Sequence, residues 1–114
     1  MNYKMKSEES EPLFCDIKCN KAREIMKKFK GMEQFHIIDT RSAGMYRLGH
    51  LKGALLLDAF QTNFNRLLEH LPKDHIYLVY CTAGIRSSKA ISIMKKLGFK
   101  SVYHLSKGLE GCKL

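Results

Sequence analysis

No apolar run in this 114-residue sequence approaches the ~20 residues that a helix needs to cross a bilayer, so a membrane-spanning helix is excluded and no membrane partner is expected. The opening stretch, Met1 to Pro12, mixes charges of both signs without an apolar core, so no secretory signal is expected and a cytoplasmic location follows. Internal repeats and interdomain linkers are missing. So are zinc-finger spacing and any interleaving of aromatic with basic residues, and no nucleic-acid partner is expected. Cys15 and Cys19 lie four apart with no matching second pair, which leaves a metal site unsupported. Without a secretory signal the expected compartment is reducing, and all four cysteines (Cys15, Cys19, Cys81, Cys112) are expected as free thiols.

Acidic residues become scarce in the last third. Residues 81–114 hold seven basic residues and one acidic, most of the formal net charge of +9. This excess is either a solvated Lys-rich surface or a field that draws small anions toward the region of residue 81. At 45% hydrophobic and 27% charged the composition is that of a globular chain, and the length suits one domain. Residues 1–11 read as a loose polar leader and 12–114 as a single domain.

Ala22, Ile25, Met26 and Phe29 fall on one helical face, with Asn20 as the expected N-cap and Gly31 as the stop. Phe35–Ile38, ending at Asp39, and Ala54–Leu57 read as short buried strands, and a helix is expected over Asn63–Leu71. Ile76-Tyr77-Leu78-Val79-Tyr80 has no alternation and suits the middle of a parallel sheet covered on both faces. A second amphipathic helix is expected from Ser87, carrying Ala90, Ile93, Met94 and Leu97 and closed by Gly98, before a last strand at Val102–Leu105. Strands alternating with helices indicate an α/β domain, a mostly parallel sheet with helices on both faces.

Ligands of such sheets bind beyond the carboxyl ends of the strands. Cys81 stands there, followed by Thr82-Ala83-Gly84-Ile85-Arg86-Ser87 and a helix. A tight loop feeding a helix N-terminus turns backbone N–H groups inward as a nest for negative charge. Arg86 adds a cation, Thr82, Ser87 and Ser88 offer hydroxyls, and the small residues Ala83 and Gly84 let the backbone approach the sulfur. Each favours the thiolate, so Cys81 is expected to ionise below the ordinary thiol range.

Cys81-Thr-Ala-Gly-Ile-Arg-Ser resembles the C-x-x-G-x-R-S loop of the rhodanese (thiosulfate sulfurtransferase) superfamily. Ile37-Ile38-Asp39-Thr40-Arg41, with Tyr46, Gly49-His50-Leu51 and Gly53-Ala54, is similar to a second segment of that family, and the stretch from Leu97 to Gly108 is similar to a third. The resemblance runs over about residues 14–112. It implies a rhodanese-like five-stranded sheet with Cys81 as the nucleophile. The loop Thr82, Ala83, Gly84, Ile85, Arg86 and Ser87 would bind substrate, and Asp39 and Arg41 would support it as a salt bridge or loop brace. His50 would pack or bond backbone in its turn. The implied reaction moves a sulfane sulfur from thiosulfate or a similar small anionic donor, through a cysteine persulfide, to cyanide, a thiol or a protein cysteine. No metal or organic cofactor is called for.

The chain departs from the family pattern at Met45, where Glu is common, at Lys52 in place of Pro, at Lys107 in place of Gly, and at Cys112 in place of Trp. A terminal helix is therefore expected to be short or absent, and Cys112 is a candidate resolving thiol. Two other readings stand beside catalysis: an interaction module, and a persulfide carrier whose Lys95, Lys96 and Lys100 meet an acidic partner. A cysteine phosphatase or arsenate reductase is a weaker rival, because those loops place five residues between Cys and Arg where this one has four.

Overall fold

The computed structural model describes residues 12–114; the expected leader, 1–11, lies outside them. Strands β1 (Leu13–Ile17), β2 (Phe35–Asp39), β3 (Leu55–Leu56), β4 (Ile76–Tyr80) and β5 (Ser101–Leu105) form one sheet in the order β1-β5-β4-β2-β3, with every pairing parallel. Helices α1 (Cys19–Lys28), α2 (Ala43–Leu48), α3 (Phe64–Glu69) and α4 (Ile85–Leu97) connect them.

Two apolar cores lie on opposite faces of the sheet. On one, Tyr77, Val79 and Val102 pack with Phe64 and Leu68 of α3 and Ala90, Ile91 and Met94 of α4. On the other, Leu78, Tyr80, Ile37 and Leu105 pack with Ala22 and Ile25 of α1. This is why β4 shows no alternation: from Tyr77 to Tyr80 both faces are covered. Burying side chains such as Leu78 and Tyr80, each 0% exposed, contributes about 2 kcal/mol apiece.

Several boundaries differ from the sequence expectation. The N-cap of α1 is Lys18, with no side-chain cap; Asn20 lies inside the first turn, where its Oδ1 accepts from Arg23 Nη1 at 3.0 Å. Helix α4 starts at Ile85, two residues before Ser87, and α3 is shorter than Asn63–Leu71 at both ends. Strand β1 and helix α2 are additions. Strand β1 (Leu13–Ile17) is a short apolar run at the sheet edge with only Ile17 buried, and α2 buries none of its residues, so α2 has no apolar stripe to announce it. Past β5 the backbone makes turns and no helix, as the loss of the family's Trp implies.

The thiol expectation fails for two cysteines. Cys19 and Cys112 are joined by a disulfide, with Cα atoms 5.5 Å apart, while Cys15 and Cys81 are free. Cys112 is thus engaged with α1 and is not a resolving partner for Cys81. The pairing follows from folding: the turn after β5 returns beneath the start of α1, where Arg23 Nη2 also donates to the Lys113 carbonyl at 2.8 Å. Among the described residues no helix is long and apolar enough to cross a membrane.

Candidate active site

Cys81 follows the last residue of the central strand, at the carboxyl edge of the sheet. Thr40, fully buried at the end of β2, holds this edge: its N–H and its hydroxyl both donate to the Tyr80 carbonyl, at 3.0 and 2.9 Å. The chain then turns through residues 81–84 into α4. Gly84 adopts φ +103°, and a Cβ there would overlap the Ser106 carbonyl, so only glycine allows the loop to close against the turn after β5. That turn braces the loop from behind. The Leu109 N–H donates to the Cys81 carbonyl and the Glu110 N–H to the Thr82 carbonyl, each at 3.1 Å.

Cys81 is 3% exposed as a residue, and its sulfur accepts from the Gly84 N–H at 3.0 Å and the Ser87 N–H at 3.4 Å. The Ser87 hydroxyl lies 3.3 Å away. Burial alone would push the thiol up. The Ser87 hydroxyl and N–H, with the Gly84 and Ala83 N–H groups, outweigh burial and hold Cys81 below the ordinary thiol value. The loop amides and the first turn of α4 thus supply the anion cradle.

The other expected site residues divide. Arg41, Phe60, Cys81, Thr82, Ala83, Ile85 and Arg86 line an open pocket of about 320 Å³ above the sulfur. Ile85 is 77% exposed, at the rim. Arg86 sets its guanidinium over the Phe60 ring, 4.3 Å from the centroid. Ser88 is turned from the sulfur: its hydroxyl donates to the Gly84 carbonyl at 2.7 Å and so fastens the loop to the helix. Lys95 and Lys96 stand in the last turn of α4, about 15–20 Å along the helix from Cys81 at 1.5 Å per residue. Of the seven basic residues after Cys81, Arg86 alone lines this pocket; Lys89, Lys95 and Lys96 lie farther along α4, and Lys100, Lys107 and Lys113 lie beyond it.

Asp39 and Arg41 form a buried salt bridge, with Arg41 Nη2 2.7 Å from Asp39 Oδ2 and side chains 7% and 0% exposed. Arg41 Nη2 also donates to the Gly49 carbonyl at 2.6 Å, and the Tyr80 hydroxyl donates to Asp39 Oδ2 at 2.6 Å. The Asp39 bond raises the Arg41 pKa further, keeping it a fixed cation. Tyr80 in turn accepts from the Leu51 N–H at 3.1 Å, so one polar knot joins β2, β4 and the chain after α2 beside the pocket. The His50 Nδ1 bonds the Tyr46 carbonyl at 2.8 Å and its ring stacks on Tyr46, a local role in its turn.

Three polar side chains bonded around the site escape the sequence reading. Tyr80 is masked by the apolar run of β4. His104 lies on β5, with its Nε2 2.7 Å from Ser87 Oγ, and Asp16 lies on β1, with Oδ1 3.1 Å from His104 Nδ1. The available signal for His104 is its parity with Val102, which places both on the face toward α4.

An open parallel sheet that presents a cysteine in a ring of amides at its carboxyl edge defines a class of α/β domains. Comparison with known proteins places the chain within it: the Rhodanese-like domain profile matches residues 22–114, and the chain belongs to that family. It is 36% identical over 89 residues to the tRNA uridine(34) hydroxylase of Anaplasma marginale, across 72% of this chain and 31% of that protein. It is 31% identical over 87 residues to the probable adenylyltransferase/sulfurtransferase MoeZ of Mycobacterium tuberculosis, across 76% of this chain and 22% of that protein. The chain thus spans less than a third of the length of these relatives. Among solved structures, a rhodanese-related protein from Thermoplasma volcanium superposes with a TM-score of 0.69 at 20% identity, covering 85% of this chain and 88% of that one. A rhodanese from E. coli, solved with anions, superposes with a TM-score of 0.58 at 26% identity, covering 70% and 93%.

Proposed function

We propose that this protein is a sulfurtransferase that carries a sulfane sulfur as a persulfide on Cys81. The observation that carries this reading is the Cys81 sulfur at the floor of an open pocket, accepting from the Gly84 and Ser87 N–H groups. The thiolate attacks the outer sulfur of thiosulfate, the S–S bond of the donor breaks, and sulfite leaves with the bonding pair. The new persulfide anion gains the same amide dipoles that held the thiolate. A thiophilic acceptor then takes the terminal sulfur: cyanide leaves as thiocyanate, and a thiolate leaves as a persulfide. Arg86, on the pocket wall, orients the donor's sulfonate oxygens by charge-assisted hydrogen bonds. No metal, organic cofactor, nucleic acid or membrane enters this reaction. The substrate partners are a small anionic donor and a thiol or protein-cysteine acceptor.

Membership of the rhodanese-like family and a sulfurtransferase among the relatives support sulfur chemistry. The short loop, with four residues between Cys81 and Arg86, favours thiosulfate as donor over phosphate esters. The hydroxylation named for the tRNA-modifying relatives is not carried over, because this chain matches only 31% of such a protein.

Intact-mass measurement after thiosulfate, then cyanide, tests the proposal. One sulfur should be gained at Cys81, lost on cyanide addition, and not gained by Cys81→Ser. Gain at Cys15 to the same extent would mark ordinary thiol oxidation and reject it. Arg86→Ala should raise the thiosulfate KM about tenfold, the loss of one charge-assisted contact, with folding unchanged.

A further inference from the structure

Behind the Cys81 sulfur, away from the pocket, a chain of polar side chains runs through the fold to its surface. Ser87 Oγ is 3.3 Å from Cys81 Sγ and 2.7 Å from His104 Nε2, and His104 Nδ1 is 3.1 Å from Asp16 Oδ1. The sheet builds it. Asp16 on β1 pairs in register with His104 on β5, and His104 with Val79 on β4, so one face of the sheet presents Asp16 and His104 to the first turn of α4, where Ser87 sits. We propose that this chain is a proton relay: His104 takes the Cys81 thiol proton through the Ser87 hydroxyl, and Asp16 holds the imidazolium that results.

Proton counting carries the argument. A hydroxyl has one hydrogen, so Ser87 cannot donate to Cys81 and to His104 at once. With the thiol, Sγ–H donates to Ser87 Oγ, Ser87 O–H donates to His104 Nε2, and His104 Nδ1–H donates to the Asp16 carboxylate. With the thiolate, every bond reverses up to the ring: Nε2–H donates to Ser87 Oγ and Ser87 O–H donates to sulfur. Passing between the two breaks the S–H and Ser87 O–H bonds and forms a new O–H and an N–H. The electron pair stays on sulfur and nothing is oxidised. Asp16 fixes the neutral ring as the Nδ1–H tautomer, which is the one that leaves Nε2 free to accept.

The surroundings suit this role. His104 is 5% exposed, and burial lowers its pKa while Asp16 opposes the fall, so the ring rests neutral with one nitrogen free to accept a hydrogen bond. The titratable groups facing it are Asp16 from β1 and Cys81 from the end of β4, with the Ser87 hydroxyl from α4. The nearest cations of α4 face elsewhere: Arg86 over Phe60, and Lys89 onto the Ala59 carbonyl at 2.7 Å. Asp16, 72% exposed at its side chain, connects the relay to solvent.

The inference rests on Cys81 as the reactive thiol, and its test needs no sulfur donor, so it stands or falls apart from thiosulfate use. The rate of Cys81 alkylation by iodoacetamide, followed by peptide mapping between about pH 4 and 10, reads the thiolate fraction directly. Asp16→Asn should move the midpoint upward and slow alkylation at pH 6–7 about threefold; His104→Gln should slow it about tenfold, one unit of pKa. The sign is diagnostic. Without a relay, deleting the Asp16 charge would favour the thiolate and move the midpoint down. A midpoint in Asp16→Asn that is unchanged or lowered would overturn the proposal, even if His104→Gln failed to fold. So would a uniform loss of rate with no shift in midpoint.

Discussion

Gly84 lies so close to the backbone of Ser106 that a methyl group in place of its hydrogen would overlap the Ser106 carbonyl oxygen. The contact joins the entry to α4 to the turn after β5, and it fixes the direction of the amide that donates to Cys81.

Gly84→Ala should therefore be severe. The residue sits at φ +103°, where a Cβ is strained, and the obstruction is backbone rather than a flexible side chain. A cost of about 2–4 kcal/mol is expected, from strain and the displaced loop together. Gly98→Ala is the control: φ is +89°, but nothing lies within 4 Å of a Cβ there. Its cost should stay near 1 kcal/mol, that of the left-handed helix cap alone. Urea denaturation of the two variants measures the difference. Equal losses would mean that the loop yields to the methyl group.

The contrast between Gly84 and His104 shows what the sequence makes legible. The Cys81 loop is contiguous, and its glycine, arginine and helix start are read within seven residues; the run Ile76–Tyr80 likewise announces a covered central strand. The fold class and the cradle follow from such local chemistry. Asp16 and His104 lie 88 positions apart and meet only because β1 pairs beside β5, a register that no local pattern encodes. The same holds for Cys19 and Cys112, separated by 93 positions. Their bridging overturns an expectation built on compartment, because proximity in the fold decides which thiols can pair. Asp39 and Arg41 stand two apart, and their ion pair was within reach of sequence; Tyr80, which completes it, was hidden among apolar neighbours.

The Cys19–Cys112 bridge ties α1 to the turn whose Leu109 and Glu110 N–H groups brace the Cys81 loop. Closing a chain segment of this length restricts the unfolded state strongly, and breaking it should cost about 2–4 kcal/mol. Cys112→Ser should show that loss under all conditions, and the parent should show it only after treatment with a reductant. Hydrogen exchange should rise first at Leu109 and Glu110. Urea midpoints that are the same for parent and variant without reductant would show that the bridge adds nothing to stability.

Tyr77 offers a pH-dependent test of the core. It is 0% exposed, and its hydroxyl donates to the Pro72 carbonyl at 2.6 Å. Burial, with a smaller contribution from Asp74, raises its pKa from 10.0 to about 12. In the unfolded chain the phenol ionises near its ordinary value, whereas in the fold it keeps its proton. Between about pH 10 and 12 the native state therefore binds the extra proton, and stability falls as pH rises. Below pH 10 the full contribution is present. Tyr77→Phe loses the Pro72 bond, about 1 kcal/mol at neutral pH, but has no phenol to ionise at this position. The parent should lose on the order of 2 kcal/mol more than the variant across that alkaline range, so that the two stabilities converge and then cross. Denaturation midpoints measured at half-unit steps of pH would show this; parallel profiles would mean that Tyr77 ionises in the fold as easily as outside it.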